Sequence, residues 1–411
     1  MKPSINFLLT QSIECPSGLG RYWPMAKELA ARGYTVSILA LHPDYFRLPP
    51  QERSFQRDGV YVHYVWQMHV LKRDGYKYHF PLLKLGWHLL QATLRLGWHS
   101  LRSRAELFYV GKPHPMNVLP ALGQRLRGRR IIVDYDDIES EINQASGLQR
   151  AIVHLFEVHA HRIAHQVITH NAHLRQWLIQ LGVPPRKIAL IPNGIEDSRF
   201  PPLSTQEVES LREQLGLQGK KIVLYLGSLD LKSHPVDLLL EAFPQVIKHV
   251  PQAFLLIVGG GRDRDRIIQM IHQLHLTKHA RVIGPVPSKE APLYYQLAYV
   301  SIDPVRDDPI ATMRFPLKII ESFACGVPVI TGDVGERRPL ITRYDSGILV
   351  VPGEAKSLSE AIVALLQDEE RRQRLAENAR HTAQHYLWSH LAEQLAIIIE
   401  KTARTSCVSS S

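Results

Sequence analysis

A strand-then-helix rhythm runs along this chain and restarts once. Ile5–Thr10, Thr35–Ala40, Val60–Trp66, Leu107–Val110, Arg130–Val133 and Val167–Thr169 are short apolar runs of strand length. Tyr22–Arg32 reads as a helix with Met25, Leu29 and alanines on one side, and Gly33 ends it. After Asn193-Gly194 the pattern begins again with the strands Lys221–Leu226, Phe254–Val258, Arg281–Ile283, Val300–Ile302, Val327–Thr331 and Gly347–Val350. Helical stretches at Leu238–Val250, Asp263–His275, Ser357–Leu366 and Glu369–His385 separate or follow them. Such alternation requires a parallel sheet with helices on both faces. The expected fold class is therefore α/β, two doubly wound domains facing a cleft, and a cleft of that kind favours ligands. The expected domains are 1–195, 196–385 and a terminal helix with a frayed tail over 386–411, with a Pro- and Gly-containing hinge at Ile191–Pro202.

Size agrees, since 411 residues are too many for one ordinary domain. No run of 18 apolar residues exists, so no membrane span is expected. The start lacks a signal-peptide core and reads as a first strand. Cys15, Cys325 and Cys407 form neither a disulfide framework nor a metal cluster, which suits a reducing, cytoplasmic setting. The net charge of +10 calls for an acidic partner. Without a nucleic-acid motif, an anionic substrate or an anionic membrane surface explains the sign more economically than nucleic acid.

One segment carries most of the chemistry. In Phe315–Thr331 a carboxylate, Glu321, sits in a helical stretch, followed by a Gly-x-Pro turn and a β-branched strand. A carboxylate so placed receives ribose hydroxyls while backbone amides meet a diphosphate. Arg314 and Lys318 stand beside any such diphosphate. An i,i+3 pair between Lys318 and Glu321 is the plain alternative. Upstream, Gly227-Ser228 and Lys232-Ser-His234 follow the first strand of the second half, and an anion there meets turn amides and a helix start. Lys232 reads equally as a surface lysine. Gly259-Gly260-Gly261 either admits a nucleotide base or turns the chain.

In the first half, Pro16-Ser-Gly18-Leu-Gly20-Arg21 lacks the third glycine of the dinucleotide fingerprint. It reads as a close ligand approach or an ordinary sheet-to-helix turn. Arg21 reads as an anion contact or a solvent-facing residue. Asp134, Asp136, Asp137 and Glu139 cluster at a strand end. Repulsion among them needs relief from sugar hydroxyls, an acceptor proton, a cation or solvent. Finally, Leu83, Trp87, Leu90, Leu94, Trp98 and Leu101 form an apolar stripe beside a basic one of Lys84, His88, Gln91, Arg95, His99 and Arg102. A membrane-interface helix, a core helix and a groove for a lipid tail all fit it, and Gly86 and Gly97 weaken the helix.

Together these motifs resemble the retaining glycosyltransferases of family 4, which have two Rossmann-like domains (the GT-B fold). The resemblance rests on Gly18–Tyr22, Lys27–Gly33, Ile191–Ile195, Leu226–Leu229, Leu239–Phe243, Ile257–Gly260, Lys318–Thr331, Asp333–Glu336 and Gly347–Val350. It implies a hexosyltransferase using a nucleoside diphosphate sugar, with UDP first, and a lipid or glycan acceptor. Neither a cofactor nor a metal is implied. The candidate catalytic residues are Asp136, Asp137, Lys232 and Arg314. The implied donor contacts are Gly18, Gly20, Gly227, Ser228, His234, Gly260, Phe315, Pro316, Leu317, Lys318 and Glu321. The chain departs from the family at Met313, which stands where the first of a glutamate pair is usual, and at Ser228, near the usual arginine. The Asp134–Asp137 cluster stands where many relatives carry a histidine.

Overall fold

The computed structural model describes residues 2–15, 17–73, 76–138, 140, 147–201 and 203–404. Pro16, Glu139 and Cys407 lie outside them, as does the tail from 405. The chain divides into two compact units. Residues up to Gly194 join the helix Trp388–Arg404 in one, and Ile195–Leu387 forms the other.

The first unit is built on an eight-stranded sheet in the order β10-β9-β8-β7-β1-β2-β4-β3. Its strands are β1 (Ile5–Leu9), β2 (Val36–His42), β3 (Ser54–Arg57), β4 (Val60–Gln67), β7 (Leu107–Gly111), β8 (Arg130–Tyr135), β9 (Gln166–Thr169) and β10 (Ile188–Leu190). All neighbours are parallel except β3 on β4. A hairpin of β5 (Val70–Arg73) and β6 (Tyr76–His79) follows β4. Every residue of β1 and β7 is buried, the mark of strands covered on both faces. On one face, Trp388, Leu391, Leu395 and Ile399 of the last helix pack with Met25 and Leu29 of Trp23–Ala31. On the other, the helices Leu82–Arg102, Pro115–Leu126 and Gly147–His159 contribute Ala92, Leu96, Met116, Ala121 and Phe156.

The second unit is a six-stranded parallel sheet in the order β13-β12-β11-β14-β15-β16. Its strands are β11 (Lys221–Leu226), β12 (Ala253–Val258), β13 (Ala280–Gly284), β14 (Val300–Asp303), β15 (Val329–Gly332) and β16 (Gly347–Val350). The strand order reverses between β11 and β14, and ligands favour such switch points at the strands' carboxyl ends.

The glycine triplet after β12 has a structural explanation. Gly259 has φ 152°, and a Cβ there would overlap the Gly227 carbonyl oxygen; one on Gly261 would overlap the Leu229 carbonyl. The loops after β11 and β12 thus touch backbone to backbone, tied by Gly227 N–H to Val258 O and Leu229 N–H to Gly260 O, both 2.9 Å. Gly260 itself has room for a side chain, with Pro285 as its nearest neighbour at 3.5 Å.

The stripe on Leu82–Arg102 corrects one expectation. The helix forms despite Gly86 and Gly97, but Leu83, Trp87, Leu90, Leu94, Trp98 and Leu101 are all exposed. They are not the core face; Leu85, Ala92, Leu96 and Ser100 are. His88, counted with the basic stripe, is buried among Phe46, Trp66 and Phe80. No described helix is long and apolar enough to cross a membrane.

Candidate functional site

In the second unit, β14 ends on Asp303, a buried carboxylate with three partners. Arg337 Nε lies 2.7 Å away, Thr331 Oγ1 3.2 Å and Lys318 Nζ 3.4 Å. Burial opposes its charge, but Arg337 and Lys318 outweigh burial and bring the carboxyl from 3.8 down to about 2. Asp303 lines a cavity of about 190 Å³ with Ser233, His234, Arg306, Arg314, Lys318 and Arg337. Phe315, Pro316 and Leu317 also line it, where the helix Leu317–Ala324 begins.

The charges in this cavity do not cancel. Arg306 is matched by Asp237 at 2.9 Å. Asp303 faces two cations, Lys318 and Arg337, and Asp308 is the second acid of the lining, so four cations there face two carboxylates. Arg314 Nη1 reaches two neutral groups, the Ser233 carbonyl and His234 Nε2, each at 3.3 Å. Burial, then Lys318 and Arg314, push the His234 imidazole down to about 2, so it stays neutral at working pH. Lys318 stands over the Tyr225 ring, 4.8 Å from its centroid. Its 3.4 Å separation from Asp303 is an ion-pair distance that leaves its N–H donors without a close acceptor among the described residues. An excess of cations at a helix start, in a partly buried cavity, is a setting for a phosphorylated ligand.

Glu321 lies outside this lining. It is buried, with Arg199 Nη2 at 3.0 Å and the Tyr295 hydroxyl donating at 3.3 Å. Burial pushes its carboxyl up, and Arg199 pulls the other way. The ion pairs of Lys318 and Glu321 therefore run to Asp303 and Arg199, not to each other. Lys232 is exposed and absent from the cavity lining, while His234 is part of it. Gly227 approaches from beneath: a Cβ there would stand 3.1 Å from Lys318 Nζ. Ser228 accepts a hydrogen bond at its carbonyl from Tyr225, 2.6 Å away. Neither Ser228 nor Gly260 lines the cavity.

The acid response follows from Asp303. Its folded pKa lies below its ordinary value, so its stabilisation is complete above about pH 4 and is lost as pH falls toward 2. The difference is worth about 2 kcal/mol. Asp303→Asn is expected to remove that part of the pH dependence, read as a smaller loss of melting temperature than wild type between pH 5 and 3. Equal losses would show that Asp303 is not held below its ordinary value.

In the first unit the strand ends carry a second cluster. Arg21 is neither solvent-facing nor aimed at a ligand. It is buried, with Nε 2.7 Å and Nη2 2.9 Å from the two Asp134 oxygens. Its Nη1 reaches Ile191 O at 3.0 Å and Asn193 Oδ1 at 2.8 Å. Tyr109 also donates to Asp134, at 2.7 Å. Gly18 lets the following turn close on the preceding segment, since a Cβ there would overlap the Ser12 carbonyl. Gly18 and Gly20 belong to the one-turn π-helix Gly18–Tyr22 that sets Arg21 in place.

Asp136 and Asp137 are separated from this pair by their partner. Lys112 Nζ lies 3.5 Å from Asp136 and 3.8 Å from Asp137. Lys112 follows β7 with φ 72°, a backbone conformation that costs a non-glycine residue energy. Burial works against the Asp136 charge, but Lys112, His170 and Arg21 together hold the carboxyl below its usual range. His170, just after β9, hydrogen-bonds the Asp136 carbonyl, and burial brings its imidazole down to about 4. Ligand atoms of Asp136, Asp137 and His170 lie within 4.8 Å of one another. Lys112 supplies one positive charge against these two carboxylates. A histidine therefore does stand beside the aspartates. Its signal in the sequence is its place directly after the strand Gln166–Thr169.

Known proteins share both halves. Residues 17–194 match the family described as "Glycosyl transferase 4-like domain", and 207–382 match "Glycosyl transferases group 1". Spore coat protein SA of Bacillus subtilis is 28% identical over 250 residues, 57% of this chain and 65% of that protein. A GDP-mannose-dependent alpha-(1-6)-phosphatidylinositol monomannoside mannosyltransferase of Mycolicibacterium smegmatis is 25% identical over 300 residues, covering 72% of this chain and 76% of that one. The chain thus spans about two thirds to three quarters of these two curated relatives. An Anabaena structure, HepE in complex with UDP, superposes with a TM-score of 0.74 at 20% identity, over 98% of this chain and 100% of that one.

Proposed function

We propose that this chain, which is related to the glycosyl transferases group 1 family of GT-B glycosyltransferases, moves a hexose from a nucleoside diphosphate sugar to a lipid or lipid-linked acceptor. The observation that carries this reading is the net positive charge around the cavity before Leu317–Ala324, where Arg306, Arg314, Lys318 and Arg337 outnumber Asp303 and Asp308. Leaving-group departure puts negative charge on the diphosphate and positive charge on the sugar. Fixed cations and helix-start amides stabilise the first of these as it develops. Glu321 is read as the ribose acceptor, exchanging its Arg199 contact for hydroxyls. UDP is the first nucleotide to try, because the same-fold HepE structure holds it.

The reaction is read as retaining, with the acceptor attacking from the face the diphosphate leaves. The departing phosphate oxygen takes the acceptor proton, so no strong protein base is needed. Asp136 and Asp137 are the candidates to orient sugar or acceptor hydroxyls. A lipid acceptor is supported by the net charge and by the relative named for a phosphatidylinositol mannoside. It would place the reaction at the cytoplasmic face of a membrane.

The deciding experiment is a donor-and-acceptor screen with products identified by mass. UDP release that depends on a lipid acceptor, with one hexose added to it, is the expected result. Transfer only to soluble glycans would reject the lipid acceptor. Release of UDP with a free epimerised sugar and no acceptor would indicate a 2-epimerase, and no turnover with any donor would indicate a sugar-binding protein. Glu321→Ala and Glu321→Gln are each expected to raise the donor KM by about 10-fold or more, the loss of a charge-assisted hydrogen bond. The fold should persist in Glu321→Gln, which keeps the shape. An unchanged donor KM in both variants would remove Glu321 from the ribose site.

A further inference from the structure

The helix Leu82–Arg102 is apolar on two opposite sides. Leu85, Ala92 and Leu96 are buried, while Leu83, Trp87, Leu90, Leu94, Trp98 and Leu101 are 45% to 93% exposed. A helix apolar all round is ordinarily buried, and this one is bare on its outer side. The pattern continues on its neighbours. Pro115–Leu126 packs against it and exposes Leu119, Leu122 and Leu126. Gly147–His159 packs on that helix in turn and exposes Leu148, Ile152 and Leu155. Each set recurs at helical spacing and so forms a stripe. Twelve of the eighteen exposed large apolar side chains among the described residues come from these three helices. All three cover the same side of one sheet, which makes a patch rather than scatter.

The charge pattern identifies what the patch meets. The three helices contain one acidic residue, Glu157, and it is buried. Lys84, Arg95, Arg102, Arg125 and Arg150 are all exposed. A second copy of the chain would bring these cations against their own kind, which is unfavourable. An anionic bilayer supplies both complements: an acyl boundary for leucine and tryptophan, and phosphates for lysine and arginine. We propose that the outer face of these three helices is a docking surface for an anionic lipid bilayer. The face lies in the interface plane without spanning it. Its purpose, bringing a lipid acceptor within reach, rests on the acceptor reading above; its binding to lipid does not.

The test is sedimentation with vesicles of phosphatidylcholine alone, or with one quarter phosphatidylglycerol, with no sugar donor present. The wild-type chain is expected to bind the anionic vesicles, and to bind them less as salt rises. Changing Trp87→Ser, Leu94→Ser and Trp98→Ser together should lower the partition constant on the order of 100-fold while the melting temperature holds. Changing Lys84→Gln, Arg102→Gln and Arg150→Gln should reduce the preference for anionic over neutral vesicles, also on the order of 100-fold. Failure of the wild type to bind either vesicle would overturn the assignment. So would unfolding of the serine variant, or a solution dimer that this variant dissociates. Vesicle binding without transfer to any lipid would sink the acceptor reading and leave the surface standing; lipid transfer without vesicle binding would do the reverse.

Discussion

Lys318→Ala is expected to lower turnover by about 10²- to 10³-fold, the loss typical of a preorganised charge aimed at a developing anion. The ammonium is enclosed by Asp303, the Tyr225 ring and the Gly227 backbone, so it is fixed before any ligand arrives. Water would have to reorganise to do the same work. Folding should survive, because Asp303 keeps Arg337 at 2.7 Å and Thr331 at 3.2 Å. The signature is a fall in kcat with a melting temperature near wild type. Gly227→Ala offers an independent check, since its Cβ would press on Lys318 Nζ from 3.1 Å. It should reproduce a milder form of the same defect. Turnover within about threefold of wild type in Lys318→Ala would leave this lysine no part in stabilising the leaving group.

Arg21→Ala is expected to destabilise the first unit by about 3–5 kcal/mol, the usual result of breaking a buried ion pair from one side. Asp134 would remain buried with its ion-pair partner gone and the Tyr109 hydroxyl still donating to it. The segment Ile191–Asn193 would lose its hydrogen bonds to the guanidinium as well. Arg21→Lys should be nearly as harmful, because an ammonium cannot span both Asp134 oxygens and Asn193 together. Chemical denaturation followed by tryptophan fluorescence measures the change. A loss below about 1 kcal/mol would place Arg21 among ordinary surface cations, contrary to its burial.

The two sheets were readable because their strands are covered on both faces and appear as unbroken apolar runs, such as Ile5–Leu9 and Lys221–Leu226. Ser54–Arg57 was not, since an antiparallel edge strand with mostly exposed side chains carries no such run. Around the cavity, Arg314 and Lys318 were legible from the segment that leads to the Gly-x-Pro turn, and His234 from the loop after the strand Lys221–Leu226. Asp303 and Arg337 were not. Asp303 closes a strand like any other last residue, and Arg337 is indistinguishable by sequence from its exposed neighbour Arg338. The Arg21–Asp134 pair joins residues 113 apart, and no local spacing announces a contact of that range. Periodicity found the Leu83–Leu101 stripe but not which way it faces, because this helix has two apolar sides and a single sequence does not rank them.

The helix Trp388–Arg404 supplies Trp388, Leu391, Leu395 and Ile399 to the core that begins at Ile5. Nearly two hundred residues of another unit come off the ribosome before that core can close. Ile195–Leu387 is continuous in sequence and has no such wait, so it is positioned to mature first while the earlier sheet stays open along one side. Nascent chains stalled short of Trp388 should therefore protect the later sheet from protease and leave the earlier one susceptible.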